Sequence, residues 1–98
     1  MATVKLSAAA LDDLRRIASF HASHGPDLAT SVLDNLEEAI LLLARHPFIG
    51  RPVTGERREL VISRARGGYV ALYRFVETED VALVLRIRHH REAGFSPS

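Results

Sequence analysis

A chain of 98 residues with 47% hydrophobic and 26% charged content suits one domain over residues 1–98 with one core, and excludes wholesale disorder. It has no cysteine, so neither a disulfide framework nor a thiolate metal site can form, and a reducing, cytoplasmic setting is expected. No run approaches the ~18 apolar residues of a spanning helix, and MATVKLSAAALDDLRR lacks a charged start followed by a long apolar core. Neither membrane association nor secretion is indicated.

The net charge of +1 hides a division along the chain. Residues 1–50 carry four basic side chains against six acidic ones, or −2; residues 51–98 carry nine arginines against six acids, or +3, and the two halves sum to +1. Arginine's planar fork suits bidentate contact with carboxylate or phosphate, so the second half is the place to seek an anionic or acidic partner.

In chain order, Thr3 to Leu6 is a short strand, and Ser7 is an N-cap for a helix from about Ala8 to His24. Its apolar stripe is Leu11, Leu14, Ile17, Ala18 and His21, with Asp12 and Asp13 near enough the start to favour the helix dipole; Gly25-Pro26 stops it. A second helix from about Asp27 to Ala44 or Arg45 carries the stripe Leu33, Leu36, Ile40 and Leu43, and Pro47 closes it. The apolar run Ala39 to Ala44 exceeds one face, which suits first a helix packed between its partner and a sheet, and second an apolar groove left for a binding partner.

Residues 46–58, HPFIGRPVTGERR, read as a loop pinned to the core by Phe48 and Ile49. Glu59 to Arg64 is a strand with Leu60 and Ile62 on one face, and Ala65 to Gly68 a turn. Tyr69 to Val76 and Val81 to His90 form a hairpin across Glu77-Thr78-Glu79-Asp80. Strict alternation puts Leu83, Leu85 and Ile87 on one face and Arg86, Arg88 and His90 on the other. The resulting order β-α-α-β-β-β is an α+β two-layer domain, an antiparallel helical hairpin packed on one face of a mainly antiparallel four-stranded sheet, with arginines on the other face.

The five histidines lack ligand spacing: His21, His24 and His46 lie around helix ends, and the adjacent His89 and His90 point to opposite faces. No metal and no cofactor are expected. No nucleophile elbow or phosphate-binding loop is present, and Gly67-Gly68 lacks the following helix such a loop needs. His90 beside Arg86 and Arg88 could contact phosphate or move a proton.

Taken in order, LSAAALDDLRRIASF, HPFIGRPV, RRELVI, YVALYRF and VLRIRHHRE resemble the RelE/ParE superfamily of toxins from bacterial type II toxin–antitoxin modules, over nearly the whole chain and more closely its ParE branch. That resemblance implies a plasmid-stabilisation type of toxin that inhibits DNA gyrase without being an enzyme. It also implies a cognate antitoxin as partner, with operator DNA reached only through that antitoxin. The contact residues would be Arg58, Arg64, Arg74, Arg86, Arg88 and His90, with apolar side chains of the helices. The alternative branch, RelE, implies a ribosome-dependent messenger endoribonuclease, for which Glu59, Arg64, Arg66, Arg86, His89 and His90 would serve together with Arg88. A third possibility is a degenerate member that only binds an antitoxin.

Overall fold

The computed structural model describes residues 1–22, 26–62 and 68–89, without the side chains of 21, 22 and 26–32. Strand β1 (Thr3–Leu6) leads into helix α1 (Ala8–Ala22), and α2 (Pro26–Arg45) follows. The strands β2 (Arg51–Pro52), β3 (Arg57–Val61), β4 (Tyr69–Val76) and β5 (Val81–His89) complete the chain, with a 3-10 turn at Glu77–Glu79. The hairpin turn closes on Asp80, at φ 53 in the left-handed region that a short aspartate side chain tolerates. The helices cover one face of a sheet ordered β1-β5-β4-β3-β2, so the architecture is α+β in two layers.

The sheet has five strands rather than four, because residues within the 46–58 loop add Arg51 and Pro52 as an edge strand opposite Glu59 and Arg58. It is mixed: β1 lies parallel to β5, and the other pairs are antiparallel. Ser7 caps α1 as expected, its hydroxyl accepting from the Ala10 amide at 3.0 Å. No helix among the described residues is long and apolar enough to cross a membrane.

The core lies between the layers and contains Ala10, Ile17, Leu36, Ala39 and Leu43 from the helices and Leu60, Tyr69, Ala71, Tyr73, Ala82, Val84 and Ile87 from the sheet. Three expectations require correction. The buried stripe of α1 runs through Ala10, Asp13 and Ile17, while Leu11 is 40% exposed. The run Ala39 to Ala44 is not sandwiched, since Leu41 and Leu42 are exposed; so is Leu33 of the expected stripe. Phe48 and Ile49 are also exposed, and the loop is fastened instead by Tyr73 and Arg58.

Strict alternation also fails in β5. Tyr73 pairs with Val84 and Leu72 with Arg86, so Leu85 is an extra residue, a bulge. Ala82, Val84 and Ile87 therefore face the helices, Leu85 is half-buried, and Leu83 sits with Arg74 on the outer face.

Candidate functional site

Directly opposed residues share a face, so the register maps the outer face. Arg88, Val70 and Val61 form one row; Arg86, Leu72, Glu59 and Arg51 form the next; Leu83, Arg74 and Arg57 form a third. This face is cationic around an apolar middle rather than a continuous arginine field. Arg51 and Glu59 pair across it at 2.9 Å, and Arg74 reaches Glu56 at 3.4 Å. Among the described residues Arg57 and Arg88 have no ion-pair partner.

Arg86 differs from its neighbours because of where β1 ends. β1 covers β5 only from Val81 to Val84, which leaves the rest of that edge without a neighbouring strand among the described residues. Backbone groups there must find other partners. Ser7 Oγ donates to the Leu85 carbonyl at 2.8 Å, and the Ile87 amide donates to Asp13 Oδ2 at 2.9 Å. The Arg86 guanidinium turns around the same edge and donates from Nε to Asp13 Oδ2 at 2.9 Å and from Nη2 to Oδ1 at 3.1 Å. Arg16, one turn along α1, adds a third cationic or amide donor group at 2.8 Å.

Asp13 is thus a buried carboxylate, 1% exposed, that joins the first helix to the last strand. Burial alone would raise its pKa, but the hydrogen bonds from Arg86, the Ile87 amide and Arg16, with the charge of Arg86, outweigh this and hold it below its ordinary value. The same contact raises Arg86. Asp13 is not the helix-dipole partner expected, because it lies beyond the first turn of α1, which contains no acid. The spacing Ala10, Asp13, Leu14, Ile17 was the available signal: a carboxylate on an otherwise apolar stripe needs a cation opposite it.

Arg58 also has a structural task. It lies on the inner face opposite Tyr73 and donates from Nη1 to the carbonyls of Phe48 at 3.0 Å and Gly50 at 2.8 Å, with its guanidinium 5.1 Å from the Phe48 ring centroid. Tyr73 completes the fastening, its hydroxyl donating to the Pro47 carbonyl at 2.7 Å and accepting from the Gly50 amide at 2.8 Å. Burial pushes the Tyr73 phenol up, partly offset by the Gly50 amide and the charge of Arg58.

The expected nuclease set does not converge among the described residues. Glu59 is opposite Leu72 on the outer face, whereas His89 is opposite Tyr69 on the helix side, in edge-to-face contact with that ring at 5.5 Å. Arg64, Arg66 and His90 lie outside the described residues. Of the expected contact residues, Arg74 and Arg88 stand on the outer face, Arg86 turns to Asp13 at its edge, and Arg58 is on the inner face. Among the described residues no three His, Asp or Glu side chains come together as a metal site.

With this geometry in hand, comparison with known proteins identifies the class. The model of the ParE toxin of type II toxin–antitoxin systems, parDE, matches residues 4–94. The chain belongs to this family, within the RelE/ParE superfamily of type II toxins. It is similar to Toxin RelE3 of Caulobacter vibrioides, 32% identical over 92 residues that cover 94% of this chain and 98% of the relative. The fold matches a chain of the chromosomal ParDE toxin–antitoxin system from P. aeruginosa, with TM-score 0.73, 24% identity, and 91% and 96% of the two chains covered. It also matches a chain of the toxin–antitoxin complex RelBE2 from Mycobacterium tuberculosis, with TM-score 0.63, 25% identity and 91% of each chain covered.

Proposed function

We propose that this type II toxin arrests growth by binding DNA gyrase through the outer face of its sheet, without enzymatic chemistry, and that a cognate antitoxin neutralises it in the cytoplasm. The observation that carries the reading is the separation of Glu59 and His89 onto opposite faces of the sheet. Attack by a ribose 2′-hydroxyl needs a base, an acid for the leaving oxygen and a charge-stabilising group at one reacting centre; Glu59 is already paired with Arg51 at 2.9 Å, and His89, on the other face, cannot join it there. A contact surface has no such requirement. Arg74 and Arg88, with Leu72 and the exposed Val61 on the same face, offer charge for orientation and apolar area for adhesion. The match to the ParE family over residues 4–94 supports the same target.

The antitoxin reading is supported by the solved toxin–antitoxin assemblies of similar fold and by exposed Leu11, Leu33 and Leu41 on the helices. An amphipathic, acidic segment that folds as it binds would bury these leucines and pair with the arginines. Operator DNA would then be reached through the antitoxin, and plasmid stabilisation would follow from its loss. Co-expression with the neighbouring open reading frame tests the partner, which should co-elute on gel filtration.

The 32% relative bears a RelE name, which keeps messenger cleavage as the second reading. Purified chain should block supercoiling by gyrase and leave messenger intact on programmed ribosomes. Codon-dependent cleavage with normal supercoiling would reverse the order, and inactivity in both assays would leave a degenerate antitoxin-binding member.

A further inference from the structure

At the end of the sheet away from Arg88 lies a groove of about 510 Å³ between the β2–β3 turn and the β4–β5 turn. Arg88 is level with Val70 and the groove with Arg74 to Val76, a separation along β4 of roughly 15–20 Å. Two features of its lining are unfavourable for the isolated chain. Arg57 and Arg74 are direct cross-strand neighbours, and like charges so placed repel. The compensation among the described residues is the 3.4 Å contact from Arg74 to Glu56, with side chains 50% and 80% exposed, which contributes little. At the same end of the sheet but toward its inner face, where the next side chain of an extended peptide would point, the Phe48 ring is 53% exposed, yet it is held in place by edge-to-face contact with Phe75 at 5.1 Å and by Arg58 at its ring and carbonyl.

We infer that this groove is a docking site for an extended peptide segment carrying an acidic side chain next to an aromatic or aliphatic one. The carboxylate would lie between the Arg57 and Arg74 guanidiniums, relieving their repulsion through charge-assisted hydrogen bonds. The apolar neighbour would pack on the fixed Phe48 ring, whose immobilisation lowers the ordering cost of binding. An extended main chain also fits, because β4 continues through Phe75 and Val76 beyond its last pairing with β3, at Arg74. The rim favours peptide over nucleic acid: Glu56 and Glu77 also line the groove, and they repel a chain of phosphates while accepting the amides and mixed charges of a peptide. This site is independent of whether gyrase or the ribosome is the target.

The test uses the purified full chain in heteronuclear NMR titrations with three probes: the peptide acetyl-Ser-Asp-Phe-Val-Ser-amide, its Asn-for-Asp counterpart, and a short oligothymidylate. The aspartyl peptide should shift the Phe48, Arg57, Arg74 and Val76 signals saturably, and the asparaginyl peptide should bind about tenfold more weakly or worse. Arg57→Glu should reduce aspartyl-peptide binding similarly while leaving Tm unchanged or higher, since it places opposite charges across from each other and thereby separates lost binding from lost folding. Absence of a saturable shift at millimolar peptide, or equal binding of the two peptides, overturns the proposal. So does a response of these signals to oligothymidylate alone, which would make the groove a nucleic-acid contact.

Discussion

Asp13 on α1 and Arg86 on β5, 73 residues apart in the chain, are joined by two hydrogen bonds of 2.9 and 3.1 Å. The same carboxylate takes the Ile87 amide, so one side chain both neutralises a cation and finishes the edge that β1 leaves bare. Asp13→Ala should cost about 3 kcal/mol, the low end for breaking a buried pair because Arg86 itself is 38% exposed. Denaturant unfolding of the two proteins at neutral pH measures this.

The contribution should also depend on pH, with a fixed sign. The folded-state pKa of Asp13 lies below its ordinary 3.8, so the stability it supplies is fully present above that value and is lost as pH falls through the lower, folded one. The stability difference between the unaltered chain and Asp13→Asn should therefore shrink in strong acid. A difference that grows below pH 3.8 would mean that the carboxylate is not held ionised in the folded state.

Arg86 and Arg88 should behave differently despite being two residues apart. Arg86→Ala strips a buried carboxylate of two charge-assisted hydrogen bonds and should lower stability by about 1.5–3 kcal/mol. Arg88 has no ion-pair partner among the described residues, and Arg88→Ala should change stability by less than about 0.5 kcal/mol. By register both stand on the outer face, but only Arg86 turns around the edge to Asp13, so only its removal has a structural cost. Thermal melts of the single variants decide, and Arg88 alone is the clean probe of the outer face.

Much of the fold was legible because it rests on local rules. Ser7, Pro26 and Pro47 mark helix ends, and the β-branched and aromatic run from Tyr69 to Val76 gives β4 its bounds. The bulge at Leu85 was not legible, since it exists to re-aim a strand whose neighbour stops at Leu6, and β1 and β5 are far apart in sequence. β2 was missed for a related reason: two residues, one of them proline, carry no periodicity, and only pairing with Glu59 and Arg58 makes them a strand. The site was legible as a collection of arginines but not as partners and faces, so Arg58 and Arg86, which hold the structure together, looked the same as Arg74 and Arg88.

Tyr73 and Gly50 should prove mutually dependent. Tyr73→Phe leaves the buried Gly50 amide and the Pro47 carbonyl without their partner and should cost about 1–3 kcal/mol. Gly50→Ala should also destabilise, because the added methyl would lie 2.6 Å from Tyr73 Cε1 and 2.8 Å from the Glu59 carbonyl oxygen. A double-mutant cycle on stability should show non-additivity, as both changes release the same loop.

In the core, Leu36→Ala and Ile87→Ala should each cost about 2–5 kcal/mol, since both side chains are buried between the layers. Ile40 and Leu85 are only half-buried, and their truncation should cost less. Circular dichroism and denaturant melts order the four variants.

The most direct measurement of the central claim is a gyrase supercoiling assay titrated with purified chain and, in parallel, with Arg88→Ala verified as folded. The unaltered chain should abolish supercoiling in a dose-dependent way, and the variant should have a markedly weaker effect. Undiminished supercoiling at saturating toxin, with codon-dependent messenger cleavage in the parallel ribosome assay, would contradict that claim.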